Sequence, residues 1–394
     1  MVSRKVCVAT TTRADYGLLR GLMEEIRRSP RLELKIIAAG MHLSSRYGDT
    51  WREIEADGFG IDEKVFLDLD DDSPLAVSGA MAQGLRGFAQ ALSRLQPDIL
   101  LLLGDRFEIL AAASAAVLAG VPLGHIHGGE ITEGAMDESF RHAVTKLSQL
   151  HFVAAPAYAR RVVQMGEMPE RVYLVGGLGV DAIQRQPLLD RKALESALGH
   201  GLGTRNLLVT WQPETLAGES GAESLEALLS VLAERRDDHI IITLPNADPG
   251  NNRIRGRMEE FAASRENVFV HASLGQQRYL SLMKLADVVL GNSSSGLLEA
   301  PSLGTPTVNI GDRQRGRLRA DSVLDCAGRP GDIRAALDEA LSAAFQQRAA
   351  LAKNPYGQGG AAGRMVKILE SVPLEDLRIK PFHDIDFEMP GATG

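Results

Sequence analysis

The chain has 394 residues, 44% hydrophobic and 24% charged, which accommodates two domains of ordinary size and suits a globular enzyme or binding protein. Its net charge of -8 excludes a general nucleic-acid or membrane-surface binder, because no global positive field gathers phosphates. Only Cys7 and Cys326 occur, without metal-ligand spacing, and no apolar run reaches membrane-spanning length; a reducing, cytoplasmic setting is expected.

The opening MVSRKVCVATTTRADYG turns polar after one short strand, KVCVAT, and is not a secretory signal. Tyr16, Leu19, Leu22, Met23 and Ile26 then share one helical face, and LELKIIAAG reads as the next strand. MHLSSRYGDT is a polar loop carrying His42, and DLDDDSP a solvated acidic turn. Met81, Leu85, Phe88, Leu92 and Leu95 predict an amphipathic helix over 78–95. Strands are expected near 99–103 and 121–126 with an Ala-rich helix between them, then at LHFVAA and RVYLVGG.

A second α/β rhythm begins after Pro187, with strands near 206–210, 239–243, 267–270, 287–290 and 306–310. Tandem βα repeats predict an α/β fold of two Rossmann-like domains flanking a ligand cleft, over 1–185 and 186–370. The last helix, GRMVKILE, is expected to run back toward the first domain, ahead of an irregular tail over 371–394.

Polar residues crowd behind two apolar strands: Asp105, Arg106 and Glu108 after ILLLL, then His125, His127 and Glu130 around VPLGHIHGGE. Asp137, Glu138, Arg141 and His142 follow at a helix start, where i,i+3 and i,i+4 spacing brings the last three together. Clustered acids push one another's pKa apart, leaving one protonated and another charged, a pair suited to moving a carbon-bound proton or protonating a leaving oxygen. Alternation puts His125 and His127 on one side of a strand, with neither a Cys partner nor an HExxH pattern, so no metal site is expected.

In the later half, GNSSSGLLEA follows an apolar strand. Asn292 and the three serines suit a helix cap whose exposed N–H groups can hold a diphosphate, and Glu299, near the second helical turn, is placed to accept ribose hydroxyls. Arg313, Gln314, Arg315 and Arg317 follow, with Arg13 a further anion contact, because forked guanidinium donors match phosphate oxygens. The polar loops after the other strands carry Gln212, Glu214, Asn246 and Asp248, then His271 and Ser273, as sugar contacts. There is no Walker A sequence and no complete GxGxxG after the first strand.

TTTRADYG, LLLGDRFE, HIHGGEITEGAMDESFRHAVTKLS, RVVQMGEMP, PNAD and GNSSSGLLEAPSLGTPTVNIGDRQRGR together resemble the hydrolysing UDP-N-acetylglucosamine 2-epimerases, over roughly residues 4–370. The likeness is to the sialic-acid branch and to relatives acting on UDP-N,N'-diacetylbacillosamine. It implies the glycosyltransferase-B architecture, no metal or nicotinamide cofactor, a UDP-sugar substrate and a homodimer or homotetramer. It also implies a reaction: C2 deprotonation, departure of UDP to leave a 2-acetamidoglycal, and addition of water to release a free 2-epimeric sugar. With UDP-N-acetylglucosamine the product is N-acetylmannosamine. By the same resemblance Asp105, Glu130 and Glu138 match catalytic acids, with Asp137 a substitute for Glu138. Ser293, Ser294 and Glu299 match diphosphate and ribose contacts, Arg13 and Arg313 anion contacts, and His42 and Asn246 sugar-facing loops.

One departure stands out. Where the family carries a histidine in VTxHP that contributes to catalysis, this chain reads VTWQP, and Gln212 cannot carry charge. An epimerase that retains UDP, a glycosyltransferase and a UDP-sugar-binding protein of the same fold are the competing readings.

Overall fold

The computed structural model describes residues 3–71, 73–132, 136–212, 219–244, 252–272 and 274–386. Seven parallel strands form the first sheet: β1 Arg4–Thr10, β2 Leu32–Ala39, β3 Glu63–Val65, β4 Ile99–Leu103, β5 Leu123–Ile126, β6 Leu150–Val153 and β7 Val172–Leu174. Six more form the second: β8 Asn206–Thr210, β9 His239–Thr243, β10 Val268–His271, β11 Val288–Gly291, β12 Thr307–Ile310 and β13 Val323–Cys326. The orders are β3-β2-β1-β4-β5-β6-β7 and β10-β9-β8-β11-β12-β13. Each is a doubly wound Rossmann-type sheet, with its reversal of direction at β1/β4 or β8/β11, the points where such sheets bind ligands. The short strands β3 and β13 escape the sequence reading, since charged residues interrupt EKV and VLDC and leave no apolar run.

Apolar runs such as ILLLL are buried because helices cover both faces of a parallel sheet. In the first unit, helix Arg13–Arg28 packs Leu19, Leu22 and Met23 on one face, and helices Pro74–Leu95 and Phe107–Leu118 cover the other with Phe88, Leu92 and a row of alanines. The Pro74 helix begins four residues before the expected start, because Ser73 caps it and Pro74 supplies a pre-set φ at its first position.

The chain divides into two compact units, the first comprising Met1–Glu130, Met136–Ala182 and Gly359–Gly394, the second having Ile183–Gln358 as its main body. Helix Ala361–Ser371 therefore belongs to the first unit rather than to the 186–370 segment. Its Met365, Val366 and Leu369 join the core of Leu19, Leu22 and Met23, and Asp181 caps it by accepting from the Ala361 and Ala362 amides at 2.9 and 2.8 Å. Among the described residues no helix is long and apolar enough to cross a membrane.

Candidate active site

In the first unit β4 turns through Gly104, at φ +83°, into Asp105. Arg141 comes up to meet it from helix Asp137–Leu147, its side chain only 3% exposed. Its Nη2 donates to Asp105 Oδ2, and its Nη1 to Glu138 Oε2 at 2.5 Å and to the Glu130 carbonyl at 3.0 Å. One guanidinium thus ties the loops after β4 and β5 to the first turn of that helix. Burial works against its charge, but Asp105, then Glu130 and Glu138, outweigh burial and raise it above the ordinary arginine range. His142 Nε2 lies 3.0 Å from Glu138 Oε1, so Glu138 holds partners at both i+3 and i+4.

Asp137, beside this cluster, is raised above the ordinary aspartate range by burial first and by the Asp105 charge second; Arg106 and Arg141 pull the other way without cancelling this. Asp137 thus holds its proton more tightly than an ordinary aspartate. Glu130 is buried, and its Oε1 lies 3.1 Å from His127 Nδ1.

The two strand histidines do not act together. His125 is wholly buried between the Gly104 carbonyl at 2.8 Å and Thr145 Oγ1 at 3.0 Å, and burial pushes it down to about 3. His127 lies beyond the end of β5 at φ +67°, where strand alternation no longer applies. Arg106 forks onto the buried Glu108 at 2.9 and 3.2 Å, a pairing the sequence reading left unassigned.

His42, expected to face the sugar, is wholly buried instead. Its Nε2 meets Thr10 Oγ1 at 3.0 Å and its Nδ1 meets Thr50 Oγ1 at 2.8 Å, so both ring nitrogens are occupied. Beneath the same loop Asp15 accepts from the Thr11 and Thr12 amides, at 2.9 and 3.1 Å. The T-x-x-D spacing of a capping box was the signal for Asp15. Arg13 is 59% exposed and pairs with Glu53 at 3.2 Å.

In the second unit β11 ends at Gly291, where a Cβ would collide with the Thr210 carbonyl of β8; only glycine lets these strands approach so closely. Asn292 then clasps the backbone of Gln212, accepting from its amide at 2.7 Å and donating to its carbonyl at 2.8 Å. Arg313 and Gln314 donate to the Asn292 carbonyl at 3.1 and 2.9 Å. Gln212, Asn292 and Arg313 are thereby brought to the β8/β11 reversal point, next to Ser293 and Ser294.

The serine loop rests on a chain of hydroxyls that starts in the buried core of the sheet. Thr243 Oγ1 meets Thr210 Oγ1 at 3.0 Å, Thr210 meets Tyr279 at 3.1 Å, Tyr279 meets Ser295 at 2.7 Å, and Ser295 meets Ser293 at 3.0 Å. Tyr279 lies on helix Gly275–Leu285, and no sequence spacing marks it. Glu299 does not sit on the second turn of a continuous helix. It is the joint between Ser295–Leu298 and Ala300–Leu303, because Pro301 has no amide to continue the hydrogen-bond ladder. Burial pushes its carboxyl up to about 7.

His271 is not brought to this group. It ends the edge strand β10, two strand spacings or about 10 Å from β8, and its Nε2 is 3.0 Å from that of His200. Asn246 and Ser273, with Glu214 and Asp248, lie outside the described residues.

The model of the UDP-N-acetylglucosamine 2-epimerase family matches residues 24–370. A GDP/UDP-N,N'-diacetylbacillosamine 2-epimerase (hydrolyzing) of Campylobacter jejuni is 38% identical, covering 98% of this chain and 100% of that one. A UDP-N,N'-diacetylbacillosamine 2-epimerase (hydrolyzing) of Legionella pneumophila is 35% identical over 94% and 97%. Among solved structures, one from Listeria monocytogenes, named for UDP-N-acetylglucosamine 2-epimerase, superposes with a TM-score of 0.82 at 20% identity, covering 98% of this chain and 100% of that one.

Proposed function

The chain belongs to the UDP-N-acetylglucosamine 2-epimerase family, and from that premise we propose that it is a hydrolysing UDP-sugar 2-epimerase. The reaction removes the C2 proton of a UDP-2-acetamido sugar, expels UDP to leave a glycal, and adds water at C1 as a proton returns to the other face of C2. The observation that carries this reading is the Arg141 cluster, where one buried guanidinium converges on Asp105, Glu138 and the Glu130 backbone.

The chemistry assigns roles within that cluster. Asp105, with its side chain 28% exposed and paired with Arg141, is the candidate base within reach of a sugar. Asp137 holds its proton more tightly and is the partner acid. Glu138 and Glu130 complete the anionic surroundings that keep Arg141 charged and fixed, with Glu130 the second candidate base. Charge that develops on the departing diphosphate is assigned to Ser293, Ser294 and Arg313, and the ribose to Glu299. Gln212 donates a hydrogen bond without titrating where the family uses histidine.

Of the two donors, the identity to the Campylobacter and Legionella proteins favours UDP-N,N'-diacetylbacillosamine, and the family name supports UDP-N-acetylglucosamine as the second. Incubation with each donor and no acceptor, followed by NMR of the products, tests the proposal. UDP together with a free 2-epimeric sugar is expected; a UDP-linked epimer identifies a non-hydrolysing enzyme, and absence of product from both donors overturns the reading.

A further inference from the structure

Helix Asp137–Leu147 carries Asp137, Glu138 and Arg141 at one end, and its 11 residues span about 16 Å. At the other end its last carbonyls need donors, as at the carboxyl end of any helix. They find them in a residue more than two hundred positions away. Lys380 Nζ donates to the Lys146 carbonyl at 2.5 Å and the Ser148 carbonyl at 2.6 Å, with the Thr145 carbonyl at 3.4 Å. The same ammonium pairs with Glu167 Oε2 at 2.8 Å.

Glu167 is itself nearly fully buried. It accepts from Lys146 Nζ at 2.6 Å and meets His151 Nε2 at 2.9 Å, so strand β6, the helix and the C-terminal segment share one carboxylate. The segment is seated by several contacts. The His383 amide donates to the Gly166 carbonyl at 2.9 Å, and Arg171 donates to the Ile379 carbonyl at 3.1 Å. The Phe382 ring lies against Gly166, in space that any Cβ there would fill, and 4.9 Å from Lys146 Nζ. A solvated tail has no need of a side chain bound at four places by three carbonyls and an acid.

We propose that Lys380 is a positioning residue for the proton-transfer groups, clamping the carboxyl end of helix Asp137–Leu147 so that Glu138 and Arg141 at its start keep their register with Asp105. Without the clamp, three carbonyls and Glu167 lose a charged donor, and the helix is free to shift along its axis. Such a shift acts directly on Arg141, whose bonds to Asp105 and the Glu130 carbonyl cross from the helix to the strand loops. Burial pushes the Lys380 ammonium down to about 8, with Glu167 opposing and Lys146 and Arg171 adding to the shift; it remains charged at neutral pH. The inference rests on the function proposed above for its catalytic consequence, and on geometry alone for the clamp.

The test is Lys380→Ala with and without n-propylammonium, which replaces the side chain beyond Cβ. Expected are a kcat about 10- to 100-fold lower, an unchanged dissociation constant for UDP, and recovery of kcat with the amine but not with n-propanol. Hydrogen exchange of the amides in the last turn of the helix should quicken in the variant and slow again with the amine. Should that variant not fold, Lys380→Met retains an apolar stem and carries the same kcat and exchange readouts. Parent-like kcat, or a loss of kcat matched by an equal loss of UDP affinity and not recovered by the amine, overturns the proposal. If the unaltered protein releases no UDP from either donor, the function fails on its own, and the exchange measurement still decides the clamp: unchanged exchange overturns it.

Discussion

His127 presents Nδ1 to Glu130 Oε1 at 3.1 Å while its Nε2 accepts the Leu178 amide at 3.3 Å. A ring nitrogen that accepts carries no proton, so a neutral His127 ring carries its proton on Nδ1, the nitrogen nearer the Glu130 carboxylate. Glu130→Gln is expected to lower kcat by about 100-fold or more, with UDP affinity intact. His127→Asn, which tolerates the left-handed backbone at this position, should lower kcat less. Steady-state UDP release measures both, and near-parental turnover in Glu130→Gln would remove that residue from the chemistry.

Arg141→Met should cost about 3–5 kcal/mol of stability, because it leaves Asp105 and Glu138 facing each other without their buried cation. Urea unfolding reads this. Adding Asp105→Asn to Arg141→Met should recover part of the loss, since the two residues share one interaction.

Asp137 links stability to pH with a definite sign. Its pKa is raised on folding, first by burial, so the protonated form stabilises the fold, and that contribution is lost as pH rises through the raised value. Asp137→Asn should therefore unfold at higher urea than the parent at pH 7, with the two curves converging in acid below about pH 4. The same variant should lose turnover, because an amide has no proton to give.

With the ribose held by Glu299 as proposed, its carboxyl, pushed up to about 7, is expected to make UDP binding pH-dependent. Ribose hydroxyls donate to the carboxylate and favour its ionised form, so binding below this pH releases a proton and affinity rises as pH increases through about 7. Calorimetry in buffers of different ionisation enthalpy detects the proton. Because the terminal phosphate of UDP also titrates, the decisive quantity is the difference from Glu299→Gln, which should release less. Equal release by both proteins would separate Glu299 from the ribose.

Because Asn292 holds Gln212 through its backbone amide and carbonyl, the side chain at 212 is open to exchange without breaking that clasp. Gln212→His is expected to raise kcat several-fold and to add a titration near neutral pH, as an imidazole gains charge opposite the departing phosphate. An Asn292→Ala variant should weaken UDP binding whichever residue occupies 212. Rate–pH profiles of the parent and Gln212→His decide the first, and a UDP titration the second.

Much of the fold was legible in local pattern. Short apolar runs such as ILLLL and NLLVT, punctuated by glycine and separated by helix-period segments, specify buried parallel strands, and two such series specify two sheets. Glu138, Arg141 and His142 were legible as a trio for the same reason, since helical spacing alone brings them together. Pairings made across the chain were not. His42 reads as a loop histidine until Thr10 and Thr50 enclose it, and His271 reads as a site residue until sheet order sends β10 to the edge and His200 takes its ring nitrogen. Tyr279 and Lys380 carry no local signal at all. Backbone periodicity is written in neighbouring residues, whereas which buried donor finds which acceptor depends on how distant segments pack, and only the tertiary structure decides that.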